Sequence, residues 1–576
     1  MEINSPKDLK QLSENQLTEL SAYLRAPLLK KLAAHGGHVA PNLGVVEATV
    51  ALHYVFDAPE DKIVFDVSHQ SYIHKMLTGR MQAFTDPAHY NDVTGYTCPR
   101  ESPYDLFEVG HTSTSISLAT GLAKARDLKG GSENVVAFIG DASLGGGQAL
   151  EALNFAPTLH SNFIIILNDN QMSIAHNHGA LYPHLEALRE SNGTAHDNIF
   201  RALGYEYIYV RDGNNIHDLI EAFRSAKDAD HAVLVHINTM KGMGFPAAEA
   251  DKEAFHWSMP FNLENGELKV QDESDAYIDI FARHLLDRIA TDKRVVAMTA
   301  GTPGAIGFYP ERRKAAGKNF VDVGIAELDA VSMAAGLAKD GMRPVFGVMA
   351  TFIQRAYDQL SQDVAINNLP AIFVDFNGGV FGIPDATHLG FFDIPLISHI
   401  PNFLFLAPVC KEEYVAMLDW AIDKTDRPVL LRTPGGPVVS CDRPVDSDFS
   451  RYDVVRKGEK VALIGVGSLF GNAAKAADIL QAEGLNPTLI NPRNLSDPDV
   501  GVIDSLKDYA AVITVEDGII DGGFGQRIAA WLGDAPVKVK CLGLAKEFLD
   551  RYNAGKVLET NGLMPEQIAA TAQSML

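Results

Sequence analysis

Short apolar runs that alternate with longer helical patterns are the feature that most limits what this chain can fold into. Such runs recur along the sequence, at 135–140, 163–168, 232–237, 344–349, 371–376, 461–467 and 511–516. Strands that are apolar at nearly every position must be covered on both faces, and parallel sheets flanked by helices provide that cover. The pattern therefore predicts an α/β fold made of parallel-sheet domains with helices on both faces.

Chain length and two polar stretches predict three such domains. A chain of 576 residues is too long for a single hydrophobic core. Residues 262–276 and 441–459 are polar, as expected of connectors. Cutting the chain there gives domains at 1–262, 276–440 and 460–576.

The net charge, the apolar runs and the cysteines indicate which partners and which cellular compartment to expect. A net charge of −24, from 49 basic and 73 acidic residues, disfavours nucleic acid or an anionic membrane. No signal-peptide core and no apolar run of membrane-spanning length is visible, so we expect a cytoplasmic protein. The four cysteines (Cys98, Cys410, Cys441 and Cys541) have no CxxC spacing, so we expect unpaired residues rather than a disulfide or zinc framework.

Two of the apolar runs end in residues suited to a metal-bound phosphate. Run 135–140 is followed by Asp141, and run 163–168 leads to Asn170. Open parallel sheets bind ligands at the carboxyl ends of their strands. A carboxylate and an amide oxygen are hard ligands of the kind that Mg²⁺ takes beside a diphosphate. A Gly-Asp turn also occurs without any ligand, and it is the second polar strand end that favours a metal site.

The spacing of these residues resembles the thiamine diphosphate motif, in which Gly-Asp-Gly is followed at the end of the next strand by Asn. Ala142 stands where that motif has its second glycine. The resemblance implies that Mg²⁺ is bound by Asp141, by the side chain of Asn170 and by the carbonyl of Met172.

Glu327 begins a helical stretch of small residues after the strand-like segment 320–324. A glutamate in a first helical turn is also favourable simply because of the helix dipole. However, segment 324–327, Gly-Ile-Ala-Glu, resembles the one that supplies the activating acid in transketolase-like enzymes. There a carboxylate at the aminopyrimidine N1′ promotes loss of the thiazolium C2 proton. The resemblance implies this role for Glu327, and stacking on the pyrimidine for Phe352.

Long collinear segments resemble the 1-deoxy-D-xylulose-5-phosphate synthases, a transketolase-like family, over nearly the whole chain. The segments are 36–57, 65–80, 109–117, 241–256, 351–370 and 515–525. The resemblance implies thiamine diphosphate with Mg²⁺, surrounded by His69, Gly110, His111, Thr112, Asp141, Ala142, Ser143, Asn170, Phe245, Glu327 and Phe352. It implies as catalytic residues Glu327, His38, His69, His256, His388 and Arg355.

The family's reaction joins the two-carbon unit left by decarboxylation of pyruvate to glyceraldehyde 3-phosphate. Histidines suit this chemistry because they exchange protons near neutral pH, although a lone histidine is more often structural. The product, 1-deoxy-D-xylulose 5-phosphate, feeds isoprenoid and thiamine biosynthesis. The resemblance further implies a homodimer that acts on small molecules, with neither nucleic acid nor a membrane as partner.

Two departures from the family pattern concern the acceptor phosphate. Phe376 and Gly435 stand where the family has arginines that bind this phosphate. Arginine binds phosphate through a planar, bidentate fork that neither phenylalanine nor glycine replaces. Three alternatives are open. Arg432, Arg355 or a nearby lysine takes over the phosphate; the enzyme uses a different aldehyde, phosphorylated or unphosphorylated; or the chain is a non-catalytic cofactor-binding paralogue.

Overall fold

The computed structural model of the chain describes residues 3–270 and 274–576. The described residues fall into two units. The first comprises those of Met1–Glu273 together with Gly324–Ala326, and the second comprises Ser274–Val323 and Glu327–Leu576. Residues 271–273 of the predicted connector 262–276 lie outside the described residues.

The first unit is built on a sheet of five parallel strands in the order β1-β2-β3-β5-β4. The strands are β1 (Lys62–Phe65), β2 (Val135–Gly140), β3 (Phe163–Asp169), β4 (Glu206–Val210) and β5 (Ala232–Asn238). Every residue of β3 is buried, and its successive side chains enter two different cores. Ile164 and Ile166 face one core, whereas Ile165 and Leu167 face the other, as the two-residue period of a strand requires.

Helices cover both faces of this sheet. The α-helices of at least five residues are Glu14–His35, Ala40–Gly44, Val46–Val55, Ser115–Lys129, Gly147–Phe155, Leu181–Glu190, Ile216–Ala226 and Pro246–Ala250. Leu52 and Leu219 pack into the core on one face, and Ala119 and Leu185 pack into the core on the other. This double cover is what allows the strands to be apolar throughout.

The second unit contains two sheets. The larger has six parallel strands in the order β10-β11-β9-β8-β6-β7. They are β6 (Val295–Thr299), β7 (Phe320–Asp322), β8 (Arg343–Met349), β9 (Ile372–Phe376), β10 (Leu404–Leu406) and β11 (Val429–Arg432). Its α-helices of at least five residues are Tyr277–Thr291, Pro310–Ala316, Glu327–Lys339, Asp393–Ile397 and Lys411–Asp423.

The other sheet of the second unit has the order β12-β14-β13-β15-β16. Its strands are β12 (Asp453–Arg456), β13 (Val461–Gly465), β14 (Thr488–Asn491), β15 (Ala511–Ile519) and β16 (Lys538–Leu544). All pairs are parallel except β12 with β14. Its helices of at least five residues are Phe470–Ala482, Val500–Ser505, Phe524–Trp531, Ala554–Thr560 and Pro565–Ser574.

One apolar core is shared by the two sheets of the second unit. Phe346 and Phe373 of the six-stranded sheet lie in the same cluster as Ala462 and Ile464 of the five-stranded one. The sheets therefore bury a common surface, which explains why they form one unit. The predicted fold class, parallel-sheet α/β with helices on both faces, is confirmed.

The polar stretch 441–459 is not only a connector, because it contains β12. This strand lies at a sheet edge, and its two central residues, Val454 and Val455, are exposed. An edge strand needs no apolar cover, so its sequence lacks the pattern by which the buried strands were predicted.

The prediction of four unpaired cysteines is wrong for Cys410 and Cys441, which form a disulfide; Cys98 and Cys541 are free. The two residues are 31 positions apart and are brought together by the fold. Oε2 of Glu412, in the helix that follows Cys410, accepts a hydrogen bond from the N–H of Cys441 at 2.9 Å. No short cysteine spacing in the sequence signals this pairing.

Across residues 3–270 and 274–576, no helix has both the length and the apolar character needed to cross a membrane.

Candidate active site

The carboxyl ends of β2 and β3 bring Asp141 and Asn170 to the same edge of the first sheet. The two strands are adjacent and parallel, and Gly140 pairs with Asn168 in the register. Asp141 begins the one-turn helix that also contains Ala142 and Ser143, and its side chain is buried. Nδ2 of Asn177 donates a hydrogen bond of 2.7 Å to Oδ2 of Asp141.

The surroundings of Asp141 are short of positive charge. Burial, and then the nearby Asp169, raise the pKa of the Asp141 carboxyl to about 7. A Cβ atom added at Gly140 or Gly147 would meet no heavy atom within 4 Å beyond those of neighbouring residues in the chain. Within the described part of the chain, Oδ1 of Asn177 is buried without a hydrogen-bond partner. A bound cation would satisfy both the carboxylate and the amide oxygen.

Asn170 and Met172 lie in the turn that follows β3. Oδ1 of Asn170 accepts a hydrogen bond of 3.2 Å from the N–H of Met172. Met172 also forms an isolated antiparallel bridge with His176. An amide oxygen has two lone pairs, so Asn170 can keep this hydrogen bond and still bind a cation.

The loop that contains residues 110–112 is fixed by a buried carboxylate. The N–H groups of Ser113 and Ser115 donate to Asp66 at 2.8 and 3.0 Å. The hydroxyl of Ser113 donates to the carbonyl of Ser143 at 2.8 Å. These bonds tie the loop carrying Gly110, His111 and Thr112 to the segment that begins with Asp141, as a shared diphosphate site would require.

Three predicted histidines form a cluster in the first unit. The ring centroids of His38 and His69 are 4.9 Å apart, those of His38 and His256 are 5.6 Å apart, and those of His69 and His256 are 5.4 Å apart. Burial, followed by the charge of Lys241, holds the pKa of His256 well below its usual value. The His256 ring is therefore neutral at physiological pH.

Lys241 belongs to this cluster, although the sequence analysis did not select it. Its Nζ donates to the carbonyl of Ser173 at 2.6 Å and lies 3.2 Å from Nδ1 of His256. Burial lowers the pKa of Lys241 to about 7. The available signal was its place in the chain: β5 ends at Asn238 beside β3, so residues 239–241 reach the same sheet edge as Asp141.

Phe245, predicted to lie around the cofactor, has its ring in the apolar core of the first unit. Its side chain is buried, and its centroid lies 5.5 Å from that of Phe255 and 5.6 Å from that of Phe261. Its side chain thus contributes to packing beneath the cluster of polar residues.

The second unit brings the other predicted residues into two contacting pairs. Nη1 of Arg355 lies 3.2 Å from Oε2 of Glu327, which begins helix Glu327–Lys339 and is buried. The rings of Phe352 and His388 have centroids 5.6 Å apart in an edge-on arrangement. Nδ1 of His388 lies 2.8 Å from Oγ1 of Thr387 and 3.4 Å from Oδ1 of Asp385, and these contacts orient the imidazole.

Neither Phe376 nor Gly435 lies in a place that an arginine could occupy without rearrangement. The ring of Phe376 is 1% exposed and packs against Phe281 in the core, with centroids 5.2 Å apart. A Cβ atom added at Gly435 would lie 2.8 Å from Cβ of Phe381, closer than real Cβ contacts. Position 376 therefore contributes to the core, and Phe381 covers position 435.

Arg432 is not available to a phosphate, contrary to one of the alternatives left open by the sequence. Its Nε donates to Oδ2 of Asp393 and its Nη1 donates to Oδ1 of Asp517, both at 2.5 Å. Burial, and then Asp393, raise the pKa of the nearby Asp375 well above its usual value. This guanidinium is thus enclosed by carboxyl groups in the interior of the second unit.

Models of known protein families match most of the chain. Residues 1–196 and 190–239 match the model described as 1-deoxy-D-xylulose-5-phosphate synthase. Residues 275–437 match the transketolase pyrimidine-binding domain, and residues 450–568 match the transketolase C-terminal domain.

Curated relatives align along the full length. The 1-deoxy-D-xylulose-5-phosphate synthase of Symbiobacterium thermophilum is 39% identical, over 100% of this chain and 94% of the relative. That of Desulforudis audaxviator is 37% identical, over 98% of this chain and 96% of the relative. Among solved structures, transketolase from Campylobacter jejuni is 16% identical, with a TM-score of 0.47 over 98% of this chain and 100% of that one.

Proposed function

The chain belongs to the 1-deoxy-D-xylulose-5-phosphate synthase family, and from this membership we propose its reaction. It is a transferase that decarboxylates pyruvate and joins the remaining two carbons to glyceraldehyde 3-phosphate, giving 1-deoxy-D-xylulose 5-phosphate. The observation that carries the proposal is the full-length identity of 37–39% to synthases of that name. The grouping of polar residues at the edge of the first sheet supports it.

Thiamine diphosphate with Mg²⁺ fits the residues at this edge. Asp141 would bind the metal through a carboxylate oxygen, Asn170 through its amide oxygen and Met172 through its carbonyl. Carboxylate, amide and carbonyl oxygens are hard ligands of the kind that Mg²⁺ takes beside a diphosphate. The buried carboxyl of Asp141, with its raised pKa, and the buried, unpartnered Oδ1 of Asn177 support this assignment. When bound, thiamine diphosphate supplies the electron sink for decarboxylation and two-carbon transfer.

Glu327 would hold the hydrogen bond to the aminopyrimidine N1′. Its carboxylate is buried at the first turn of a helix, where water does not compete for it. Arg355 contacts Oε2 at 3.2 Å and so orients the carboxylate. Phe352, in the same unit, would supply the aromatic face for the pyrimidine.

The histidine cluster would bind the donor and exchange protons with it. In the tautomer of the neutral His256 ring whose Nδ1 accepts from Lys241, Nε2 carries the hydrogen and can donate a hydrogen bond to the substrate. His38 and His69 present two further imidazoles within 6 Å of it. Imidazoles can give up and take back a proton near neutral pH, as formation of an alcohol from the acceptor carbonyl requires. His388, in the second unit, is a further imidazole that would exchange protons in the reaction.

The proposal includes three broader features. The chain acts in the cytoplasm, and it acts as a homodimer. A molar mass of one chain in light scattering, for a sample that is fully active, would contradict the homodimer. Three domains are retained, at 1–262, 276–440 and 460–576, with the third extended forward to include β12, because this strand pairs with β14.

Steady-state kinetics with pyruvate and a panel of aldehydes tests the reaction. The panel contains glyceraldehyde 3-phosphate, erythrose 4-phosphate, glyceraldehyde and glycolaldehyde, each assayed with and without thiamine diphosphate and Mg²⁺. We expect cofactor-dependent turnover with the highest kcat/KM for glyceraldehyde 3-phosphate. A preference for an unphosphorylated aldehyde would reject the proposed acceptor, and no turnover with any aldehyde would favour the non-catalytic paralogue.

A further inference from the structure

The side chain of Asn42 joins two of the three histidine-bearing segments. Its Nδ2 donates to the carbonyl of His38 at 2.9 Å and to the carbonyl of His69 at 2.8 Å. Its Oδ1 accepts from the N–H of Tyr72 at 3.0 Å. The residue is 0% exposed. Both N–H groups and the oxygen of one rigid, planar amide are thus engaged with the backbone of the histidine cluster.

The third segment is joined to the first by backbone hydrogen bonds. Gly37 and Ser258 form an antiparallel bridge, with an N–O distance of 2.9 Å in each direction. The N–H of Ala40 donates to the carbonyl of Phe255 at 2.8 Å. The backbone therefore fixes the segment of His256 against residues 37–40, whereas the Asn42 side chain fixes the segment of His69 against the same residues.

We propose that Asn42 is a positioning residue that sets the separation of the His38 and His69 rings, and with it the geometry in which both meet the donor substrate. The substrate in this statement rests on the proposed function, whereas the hydrogen bonds do not. Without Nδ2, the carbonyls of two residues whose rings lie 4.9 Å apart lose a shared donor. Displacements of reacting groups by about 1 Å reduce rates by roughly 100-fold.

Two variants test the proposal. Asn42→Ala removes all three hydrogen bonds. Asn42→Asp keeps the shape and the acceptor for Tyr72 but turns an oxygen toward the carbonyls of His38 and His69. We expect kcat/KM for pyruvate to fall about 10- to 100-fold in both variants, with the KM for the aldehyde changed less than about twofold. In the protein without cofactor, the imidazole Cε1–H signals of His38 and His69 should shift in ¹H–¹³C NMR spectra.

Asn134 provides a matched control. It is also a buried asparagine of the first unit, and its Nδ2 donates to Asp61 at 3.1 Å and to Asp228 at 2.9 Å. It precedes β2, at the strand end opposite the histidine cluster. Asn134→Ala should lower the melting temperature as Asn42→Ala does, but leave kcat/KM and the histidine signals unchanged.

Two kinds of outcome would overturn the proposal. Unchanged kcat/KM with unshifted signals in both Asn42 variants would show that Asn42 does not position the rings. An equal loss of kcat/KM in Asn134→Ala, or failure of both Asn42 variants to fold, would show a general structural role. If the wild type makes no product, the proposed function fails, but the spectra of the cofactor-free protein still decide the role of Asn42.

Discussion

Replacing Arg432 with methionine should destabilise the second unit without selectively weakening the use of a phosphorylated aldehyde. The Arg432 side chain is 4% exposed, and its partners Asp393 and Asp517 are each 0% exposed. Methionine occupies a similar volume but carries no charge. Two carboxylates that are fully shielded from water therefore lose their common partner.

Removing one member of a buried ion pair costs about 3–5 kcal/mol, because the remaining charge stays buried without compensation. Arg432 serves two carboxylates, and we expect a loss of about 3–5 kcal/mol near pH 8. The same geometry predicts little effect on the KM for glyceraldehyde 3-phosphate, because this guanidinium is enclosed by carboxyl groups.

The loss should depend on pH. Burial already raises the pKa of Asp393 even with Arg432 present, and removing the guanidinium raises it further. A carboxyl whose pKa is higher in the folded than in the unfolded state stabilises the fold fully only below the unfolded pKa, about 4. That stability is lost as the pH rises through the folded pKa. The difference between wild type and variant should therefore be small near pH 4 and grow toward pH 8.

Urea unfolding followed by circular dichroism at pH 5 and pH 8 measures both effects. Arg294→Met is the matched control, because Arg294 pairs with Asp292 at the surface. The urea midpoint of this variant should equal that of the wild type. A loss below about 1 kcal/mol at pH 8, where about 3–5 kcal/mol is expected, or equal losses at both pH values, would refute the buried-pair account. A raised KM for the phosphorylated aldehyde in a fully stable variant would show instead that Arg432 binds the phosphate.

Three further substitutions test the site. Asp141→Ala should abolish Mg²⁺-dependent binding of thiamine diphosphate in calorimetry, because it removes the charged ligand; wild-type affinity would contradict the assignment. Phe376→Arg should lower stability in urea by about 4 kcal/mol or more, because it loses packing on Phe281 and buries an unpaired charge; an unchanged midpoint would place this side chain outside the core. Gly435→Leu should lose about 1–3 kcal/mol through overpacking, and less in a Phe381→Ala background; equal losses in thermal melts would show that Phe381 is not the obstacle.

The buried strands could be predicted from sequence, whereas the exposed edge strand could not. β3 and β9 are apolar at nearly every position because each lies between two cores. β12 lies at an edge with half of its residues exposed, so its composition resembles that of a connector. A continuous apolar run indicates a strand that is buried on both faces. A strand with an exposed face lacks such a run and cannot be predicted in this way.

The candidate site was predictable where chain position alone determines location. Asp141 and Asn170 follow adjacent strands, so the topology carries both to one sheet edge. Lys241 and Asn42 act through contacts with distant segments, and nothing in their neighbouring residues encodes those contacts. A resemblance likewise gave the position of Phe376 but not the direction of its side chain, which the packing around β9 decides.

The identity of the product formed from [2-¹³C]pyruvate and glyceraldehyde 3-phosphate tests the central claim most directly. The chain is incubated with thiamine diphosphate and Mg²⁺, and the product is identified by ¹³C NMR, with Glu327→Gln as the inactive control. We predict that the label appears in the ketone carbon of 1-deoxy-D-xylulose 5-phosphate, in amounts equal to the CO₂ released, and that the variant forms none. Release of CO₂ without a labelled ketose phosphate, or equal product formation by Glu327→Gln, would contradict the account.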